Sequence, residues 1–577
     1  MELFKRSAYC GQVSQSFVEK EIFLCGWVDN RRDLGGLIFV DLRDRTGIMQ
    51  LVFNPQDDSK SNKKIVEMAH SLRSEYVICV RGTVVKRSPG TVNKNISTGE
   101  YELKVSDLSI ISESKTPPFE IDENTNASEE LRLKYRYLDL RRSNMQDILK
   151  TRHDAVFAIR EYLNKSEFYE IETPILSKST PEGARDFLVP SRLKPGAFYA
   201  LPQSPQLYKQ LLMSAGMDKY FQIVRCFRDE DFRANRQPEF TQLDMEMSFV
   251  KEKDVQDVTE GVIGAVWERI FGVAPELPFE RMKYEEAFAR FGSDKPDTRF
   301  ELEIQDVTSL FEGTDVKFIK KVVEDGGRVG ALHVSKTWSR SQLAALEEQA
   351  KQHFGAKGLL WVSFGEGGAV SSPVAKLLPE DFFAKVRDLI PTVAPGDTLF
   401  LISDDYNTAW TALGRLRLAL GKELGLIARS QYNFLWVTDF PLLEWHEEDD
   451  RWYSKHHPFT LPKSGWENLE LSDIKAHAYD LVCNGEELAG GSLRIYDSGQ
   501  QKKIFELLGI DKKQAIEKFG FFLEAQEYGF PPHGGIALGI DRLIMLLTKN
   551  ESIREVIAFP KSSNGSCLMM SSPSEVD

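Results

Sequence analysis

The chain has little of what marks a secreted, membrane-spanning or zinc-binding protein. Its 577 residues contain no apolar run of membrane-spanning length, and residues 1–6 lack the apolar core of a signal peptide. The six cysteines are scattered without the spacing of metal ligands, at Cys10, Cys25, Cys79, Cys226, Cys483 and Cys567. These absences predict a cytoplasmic protein with reduced thiols and no contact with a membrane.

Positive charge is also scarce. The net charge of −14 at pH 7 argues against a protein that binds nucleic acid nonspecifically. Basic residues nevertheless cluster near aromatic ones, at Arg31 and Arg32, at Arg43 and Arg45, at Lys86 and Arg87, and through residues 132–142. Each cluster alone is more typical of a solvated surface, but together they permit binding of one structured nucleic acid.

The N-terminal region has the pattern of a small β-barrel. Strands are predicted near residues 22–28, 37–42, 48–53, 76–85 and 101–111, with a helix near residues 61–72. This order predicts an OB-fold, a frequent platform for single-stranded nucleic acid. Phe39, flanked by Arg32 and Gln50, is a candidate to stack on a base. Its alternative place is the barrel core, and strand parity leaves both open.

Two strands around a short charged loop form the most informative pattern in the chain. A strand over residues 220–230 places Gln222, Arg228 and Glu230 on one face, because side chains alternate. The return strand has an apolar face and a polar face, comprising Thr241, Leu243, Met245, Met247 and Phe249 against Gln242, Asp244, Glu246 and Ser248. An arginine facing amide and carboxylate groups suits a ligand with phosphate and ammonium groups. An ordinary solvated hairpin is the alternative.

A glycine-rich segment far downstream supports the ligand-binding interpretation. Residues 532–542 contain several glycines, which let a backbone approach a ligand closely, and the apolar run after them has helical spacing. Arg542 then lies in the first turn of a helix. Free amide groups and the helix dipole favour an anion there, and a guanidinium adds two-point phosphate recognition. Alone, the segment is more often a tight connection.

The two segments resemble motifs 2 and 3 of the class II aminoacyl-tRNA synthetases, each of which contains a characteristic arginine. The resemblance implies that Arg228 and Arg542 are catalytic and hold the α- and γ-phosphates of ATP. Further ATP contacts are implied for Asp229, Glu230, Gln237, Glu487, Gly539, Ile540 and Asp541. A predicted helix over residues 145–163, followed by a proline-interrupted strand at residues 168–176, resembles motif 1, which implies a homodimer.

Residues 180–186 and 203–210 resemble segments of bacterial-type aspartyl-tRNA synthetases. The match implies an aspartate pocket formed by Glu182, Gln206 and Asp244 around the α-ammonium group, Lys209 and Arg494 on the side-chain carboxylate, and Arg228, His456 and His457. Either histidine is a candidate for the loop that closes over the amino acid. A lysine on the helix that begins near Pro205 is otherwise expected at the surface.

Asn484 and Gly485 form a strong signal for a two-residue hairpin turn. The turn pairs Val482 with Glu487, which places Asp480 diagonally across from Glu487 on the same face. Diagonal neighbours lie roughly 7–8 Å apart, close enough for two carboxylates to share a magnesium ion. The resemblance likewise implies that Asp480 and Glu487 bind Mg²⁺ and ATP.

Arg494 has the wrong parity to share the face of Glu487 in a regular strand. A bulge near Gly490 and Gly491 restores the parity, and glycine pairs are common at bulges. An unbroken ladder over residues 486–494 would contradict this prediction.

The predicted fold class is multidomain, with an OB-fold barrel, a class II α+β catalytic domain around an antiparallel sheet, and an inserted α/β domain. The expected divisions are the anticodon-binding barrel at residues 1–112, a hinge at 113–144, the first catalytic part at 145–283, the insertion at 284–415, and the second catalytic part with the tail at 416–577. The resemblance implies an aspartate–tRNA ligase that uses ATP, Mg²⁺ and L-aspartate.

The same resemblance assigns the nucleic-acid contacts. Arg32, Phe39 and Gln50 are implied to bind the anticodon of tRNA. Leu34 and Lys86 are implied in the choice between tRNA(Asp) alone and both tRNA(Asp) and tRNA(Asn), so a non-discriminating enzyme is an alternative. An asparaginyl- or lysyl-type relative is disfavoured by residues 180–183 and 203–209. A catalytically silent tRNA-binding protein is a further alternative, disfavoured because the sequence retains Arg228, Glu230, Asp480, Glu487 and Arg542.

Overall fold

The computed structural model describes residues 5–55, 60–180, 184–230, 235–428 and 430–575. The chain folds as two compact units. The first comprises Met1–His153, Phe232–Gln237 and Ile544–Asp577, and the second comprises Asp154–Asp231 and Pro238–Leu543. No helix in the described ranges combines the length and the apolar character needed to cross a membrane.

The first unit contains a closed barrel. Its elements are strands β1 Glu21–Leu34, β2 Leu37–Asp44 and β3 Gly47–Phe53, helix α1 Lys60–Ser71, and strands β4 Val77–Lys86 and β5 Tyr101–Ser112. The strand order around the barrel is β1-β2-β3-β5-β4, which confirms the predicted OB-fold. Along β2, Ile38 and Val40 are fully buried, and Phe39 between them is only partly buried. Phe39 therefore faces outwards, and its alternative place in the barrel core is wrong.

Three helices follow the barrel, α2 Glu129–Lys134, α3 Arg136–Asp139 and α4 Ser143–Lys165. Two arginines predicted to lie on a basic surface are buried here. Arg136 donates to Asp139 at 2.5 Å and to the carbonyl oxygen of Ile557 at 2.9 Å. Arg142 donates to Asp139 at 2.7 Å. Because their guanidinium groups are committed to the interior, the prediction of a basic surface is wrong at these two positions. It is also wrong at Arg43 in the barrel, which is buried and pairs with Asp29 and Glu75.

The second unit contains the remaining strands. Its first part supplies β6 Tyr169–Glu170, β7 Leu188–Pro190, β8 Phe198–Ala200, α5 Gln206–Ser214, β9 Lys219–Phe227, β10 Glu239–Ser248, α6 Glu252–Phe271, β11 Glu280–Lys283 and α7 Tyr284–Phe291. Its middle part supplies β12 Gln305–Asp306, α8 Lys317–Glu324, β13 Arg328–Val334, α9 Arg340–Gln349, β14 Leu360–Phe364, β15 Val370–Ser371, α10 Phe382–Leu389, β16 Thr398–Asp404 and α11 Tyr406–Glu423. Its last part supplies β17 Phe434–Thr438, β18 Leu443–His446, β19 Arg451–Ser454, β20 Ala478–Cys483, β21 Glu486–Leu493, α12 Ser498–Leu507, α13 Lys512–Gln526, β22 His533–Gly539 and the start of α14 Ile540–Thr548.

Eight of these strands form one large sheet in the order β11-β17-β20-β21-β22-β10-β9-β6. Its ladders are antiparallel except at the two edges, which confirms the predicted antiparallel sheet. The strand predicted at residues 168–176 is shorter than expected, because β6 ends at Glu170, but it does lie at the sheet edge. The middle part forms a separate sheet in the order β12-β13-β16-β14-β15, interleaved with helices as a mixed α/β module.

The predicted hairpin around the charged loop is present, because β9 and β10 pair with Phe227 opposite Glu239. Leu243 and Met245 are buried on its apolar face. The prediction fails for Phe249. The strand ends at Ser248, and Phe249 has a φ of 58° and is 76% exposed.

The hairpin of β20 and β21 has the predicted turn and the predicted irregularity. Val482 pairs with Glu487, as the turn at Asn484 requires. The register then shifts, leaving Leu488 without a partner in the ladder, so the bulge is confirmed but precedes the glycine pair. The extra residue brings Gly490 to the face that Glu487 occupies.

Candidate active site

One row of residues across the large sheet forms the floor of the site. Pairing places Asp480 opposite Gly490, Gly490 opposite Ala537, Ala537 opposite Asp244, and Asp244 opposite Gln222. Paired residues of antiparallel strands point to the same face. Strands are about 4.7–4.9 Å apart, so Asp480 and Asp244 are roughly 14 Å apart. The small residues between them leave a depression.

An open cavity of about 150 Å³ occupies this depression. Its wall includes Gln206, Lys209, Arg228, Asp244, His456, His457, Gly490, Arg494 and Ala537. Three buried polar atoms of this wall have no hydrogen-bond partner among the described residues, namely Nε2 of Gln206, Oδ2 of Asp244 and Nδ1 of His456. Unpaired buried polar atoms are costly, so their convergence on one cavity indicates a polar ligand.

Four charged side chains form a buried network at this cavity. The Nζ atom of Lys209 lies 2.9 Å from Oδ1 of Asp244 and 3.3 Å from Oε2 of Glu246. Arg494 contacts both oxygens of Glu246, at 2.9 Å and 3.2 Å. None of the four side chains is more than 2% exposed, so the alternative of a surface position for Lys209 is wrong. Two cations and two carboxylates hold each other in place without solvent.

Burial and ion pairing have opposite effects on the pKa values of the two carboxylates. Burial raises the pKa of Asp244, and Lys209 offsets only part of that rise. Burial acts in the same direction on Glu246, but Arg494 and Lys209 outweigh it and lower its pKa below the ordinary 4.5. Burial, reinforced by Arg494, holds the pKa of His457 well below its usual value, so this imidazole is neutral at pH 7.

Glu246 has no role in the sequence-based predictions, although its position on the polar face beside Asp244 was an available signal. It pairs in register with Gly535. A Cβ atom at Gly535 would lie 2.0 Å from Oε2 of Glu246 and 2.2 Å from the carbonyl oxygen of Met245. This glycine therefore makes room for a protein carboxylate. The expectation that it admits a ligand to the backbone is not what its surroundings show.

The two predicted phosphate-binding arginines lie on different elements. Arg228 directly follows β9, and its backbone N–H donates to the carbonyl oxygen of Pro238 at 2.9 Å. Its guanidinium carbon lies 5.0 Å from the ring centre of Phe240, and the side chain lines the cavity. Arg542 lies in the first turn of α14, as predicted, and donates to the carbonyl oxygen of Glu487 at 2.9 Å.

Asp480 and Glu487 flank Gly490. A Cβ atom there would lie 2.9 Å from Oδ1 of Asp480 and 3.6 Å from Oε1 of Glu487. Burial, and then the charge of Asp480, raise the pKa of Glu487. A divalent cation would relieve this repulsion, and two carboxylates completed by phosphate oxygens are a usual set for Mg²⁺. The described residues contain no cluster of three or more protein ligands, so the ligand would supply the remaining oxygens.

The structure places the other predicted ATP contacts in varied surroundings. Asp541 is buried and accepts from the backbone N–H of Thr241 at 2.8 Å. The side chain of Ile540 is fully buried, so only its backbone can face a ligand. Gln237 belongs to the first unit and exchanges two hydrogen bonds with the backbone of Lys561, at 3.1 Å and 2.8 Å.

Further predicted residues surround the same loops. Asp229 and Glu230 directly follow Arg228, and the backbone N–H of Asp229 donates to the carbonyl oxygen of Arg185 at 3.0 Å. Gly539 is the last residue of β22. Glu182 lies outside the described residues. His456 contacts Asp480 at 3.3 Å, whereas Nε2 of His457 lies 2.5 Å from Arg494, so the two histidines line different parts of the cavity.

The barrel brings together the predicted anticodon-binding residues. Arg32 on β1 pairs in register with Phe39 on β2, and Arg32 donates to Gln50 on β3 at 3.3 Å. Two further predicted positions are exposed, namely Leu34 beside the β1–β2 turn and Lys86 at the end of β4. A cation and a partly exposed aromatic ring on neighbouring strands suit an unpaired base.

Comparison with known proteins agrees with this geometry. Residues 128–563 match the family described as tRNA synthetases class II (D, K and N), and residues 22–111 match the OB-fold nucleic acid binding domain. An aspartate–tRNA ligase of Staphylococcus haemolyticus is 52% identical over 99% of this chain and 97% of its own. An aspartate–tRNA(Asp/Asn) ligase of Geobacillus sp. is 50% identical over 100% of this chain and 96% of its own. The fold is shared with an asparaginyl-tRNA synthetase of Pyrococcus horikoshii complexed with asparaginyl-adenylate, at a TM-score of 0.60 and 21% identity, covering 96% of this chain and 98% of that one.

Proposed function

The chain belongs to the class II tRNA synthetases of the D, K and N group, and we propose that the amino acid it activates is L-aspartate. The observation that carries this proposal is the pair of buried cations, Lys209 and Arg494, around a cavity of about 150 Å³. A small dicarboxylic amino acid needs cationic groups beyond those that hold ATP. The names of the relatives at 50–52% identity support the same substrate.

Such a pocket discriminates by charge. Asparagine has nearly the shape of aspartate, but its neutral amide loses the charge-assisted bonds to Lys209 and Arg494. Each such bond contributes about 1.5–3 kcal/mol, so losing two corresponds to roughly a thousandfold preference for aspartate. Glu246 supports this selection, because it fixes both cations before the substrate arrives.

The proposed reaction has two steps. The α-carboxylate of aspartate attacks the α-phosphorus of ATP and displaces pyrophosphate, and the terminal ribose of tRNA then takes the aspartyl group and releases AMP. No side chain acts as a nucleophile. Arg228 would hold the α-phosphate and Arg542 the γ-phosphate, so positioning and charge stabilisation supply the catalysis. Asp480 and Glu487 would hold Mg²⁺, which neutralises phosphate charge when bound.

The proposed partners are tRNA and a second copy of the chain. The barrel at residues 1–112 would bind the anticodon through Arg32, Phe39 and Gln50, and residues 284–415 would form the insertion. Exposed apolar side chains on and after α4 and β6 support a homodimer, at Phe157, Tyr169, Ile175 and Leu176. A cytoplasmic location accords with the cell compartment in which tRNA is charged.

The enzyme has two candidate tRNA specificities. We propose tRNA(Asp) as the partner, with tRNA(Asn) as a second acceptor in the alternative. Both kinds of name occur among the relatives, and Leu34, which is 68% exposed, favours the discriminating form. Aspartylation of purified tRNA(Asn) by the full-length enzyme distinguishes the two, because only the non-discriminating form produces Asp-tRNA(Asn).

The test of the proposed activity is aspartate-dependent ATP–pyrophosphate exchange. The Arg228→Ala variant should lose at least about a hundredfold in exchange rate, as expected for removal of a group that stabilises developing charge. Arg225→Ala is the matched control, because Arg225 lies on the same strand but pairs with Glu239 at 2.7 Å away from the cavity wall. Wild-type exchange by Arg228→Ala, or exchange that depends on another amino acid, would overturn the proposal.

A further inference from the structure

A second cavity in the second unit has a volume of about 470 Å³, within the range of small-ligand sites. It lies where the middle part of that unit meets the large sheet, and we call it the junction cavity. Its wall includes Tyr284, Phe288, Lys295, Arg415, Lys455 and Gly485. They come from α7, from the loop that follows it, from α11, from the residue after β19, and from the turn between β20 and β21.

The three acidic residues of the junction cavity wall, Asp294, Asp297 and Glu444, each have a cation near them. Lys455 contacts Glu444 at 3.2 Å, and Asp297 contacts Arg299 at 2.7 Å. Burial lowers the pKa of Lys455, but the charges of Glu444 and Asp294 contribute to a net rise. The acidic groups of the wall therefore gather around cations already present.

Three cations of the same wall, Lys295, Arg415 and Arg417, have no ion pair with a carboxylate among the described residues. Arg417 is buried, and its guanidinium is committed to the backbone carbonyl oxygens of Asp297, Phe300 and Leu302. Lys295 makes no ion pair there, and Arg415 donates instead to the carbonyl oxygen of Phe354 at 3.0 Å. Both side chains are exposed. Since Lys295 follows α7 and Arg415 lies on α11, two separate elements present unneutralised positive charge to one cavity.

The junction cavity borders the hairpin that carries the predicted metal-binding pair. Gly485 forms the turn of this hairpin, and a Cβ atom there would lie 3.3 Å from the Cβ of Asp297. Burial and Asp480 raise the pKa of Glu487, and the charges of Arg542 and Lys295 offset part of that rise. The loop with the unpaired lysine and the hairpin with Asp480 and Glu487 are therefore direct neighbours.

We propose that the junction cavity is a second anion site, separate from the ATP-binding residues, which takes inorganic pyrophosphate on Lys295 and Arg415. The proposal rests on the proposed function for its source of pyrophosphate. Two cations on different elements suit a ligand with two phosphoryl groups, and guanidinium and ammonium groups are the usual partners of phosphate. A single phosphate shares this chemistry but needs only one of the two cations.

The experiment measures pyrophosphate binding to the full-length protein by isothermal titration calorimetry, without ATP or aspartate. The double variant Lys295→Ala/Arg415→Ala should bind pyrophosphate at the junction cavity at least about tenfold more weakly, because it loses charge-assisted bonds. Arg542→Ala should lose only the pyrophosphate bound at the ATP site and should keep the binding event that the double variant loses. Lys422→Ala is the matched control, because Lys422 is an exposed lysine of α11 that does not line the cavity.

The charge-preserving variant Lys295→Arg/Arg415→Lys should retain binding, which separates loss of charge from loss of fold. Pyrophosphate binding that disappears in Arg542→Ala and survives in the double variant would place the anion in the ATP site and overturn the proposal, as would absence of binding to the wild type. A parallel titration with inorganic phosphate distinguishes the ligands, because equal affinity for phosphate would overturn the assignment to pyrophosphate. Exchange measured on the same preparations tests the proposed function independently, since its absence leaves the binding result standing.

Discussion

The barrel and the large sheet each contain an arginine–carboxylate ion pair. The distances within the two pairs are similar, but the side chains differ in their exposure to solvent. In the barrel, Arg32 lies 3.0 Å from Asp41, and the two side chains are 47% and 18% exposed. In the sheet, Arg494 lies 2.9 Å from Glu246, and the two side chains are at most 2% exposed. The barrel pair can open towards a large nucleic acid and be solvated by water, whereas the sheet pair has no water to replace a lost partner.

This difference shows that the distance within an ion pair does not by itself determine how much the pair contributes to the free energy of unfolding. An exposed pair contributes about 0–1 kcal/mol, because water and salt screen it. Breaking a buried pair by removing one partner costs about 3–5 kcal/mol, because a charge is left uncompensated. The sheet network therefore fixes the pocket before a ligand arrives, and the barrel surface remains adaptable.

The largest effect that would test the comparison is expected from Arg494→Ala. Removal of this cation leaves Glu246 buried without its two-point partner, so the free energy of unfolding of the sheet should fall by about 3–5 kcal/mol. Arg32→Ala is the barrel counterpart, and the loss there should stay below about 1 kcal/mol. Hydrogen-exchange mass spectrometry measures both regions in one protein, through peptides of β21 and β2.

Equal losses in the two regions would break the comparison. Arg494→Lys is the charge-preserving control, and it should recover part of the stability, because it restores the charge but not the two-point geometry. Aspartate-dependent exchange by the same variants tells whether the pocket fails through loss of the fold or through loss of substrate recognition.

A smaller effect is expected from Gly535→Ala. The added Cβ would lie 2.0 Å from Glu246 and 2.2 Å from a backbone oxygen, and backbone cannot move aside cheaply. Overpacking of this kind costs about 1–3 kcal/mol. Gly539→Ala on the same strand is the control, because its nearest contacts lie at 3.8 Å. Thermal denaturation compares the two, and equal melting temperatures would show that the space beside Glu246 is not constrained.

The smallest effect concerns pH, and it should have opposite signs for one carboxylate of each region, Glu246 in the sheet and Asp41 in the barrel. Burial tends to raise the pKa of Glu246, but Arg494 and Lys209 hold it below 4.5, so its ionised form stabilises the fold above pH 4.5 and this contribution is lost as pH falls. Burial raises the pKa of Asp41 above 3.8, so its contribution is present below pH 3.8 and is lost as pH rises.

The stability difference between wild type and Glu246→Gln should therefore shrink as the pH is lowered below 4.5. The difference for Asp41→Asn should change in the other direction as the pH passes above 3.8. Denaturant titrations over a series of pH values measure both, and parallel curves for the two variants would contradict the assigned shifts.

The sequence predicts the parts of the fold that depend on neighbouring residues. Alternation along β2 and β10 and the Asn484-Gly485 turn are local signals, and each element appears where its signal lies. Phe249 is an exception. Its positive φ ends the strand at Ser248, although the alternating pattern continues to Phe249.

Features that depend on distant residues are not predictable in this way. The room that Gly535 leaves for Glu246 exists only because β22 lies beside β10. The cysteines look scattered along the chain, yet Cys25 and Cys79 face each other across β1 and β4 with their sulfur atoms 2.6 Å apart. Arg136 belongs to a buried ion pair, which its position among other basic residues in the sequence does not predict.

The extra residue at Leu488 determines the register of the rest of β21. Every side chain after it in β21 has its orientation set by that single insertion, because strand faces alternate with a period of two. Deleting Leu488 would turn Gly490 away from Asp480 and Arg494 away from Glu246, without altering any charge. The number of residues between Asp480 and Arg494 thus specifies the pocket as strictly as their identities do.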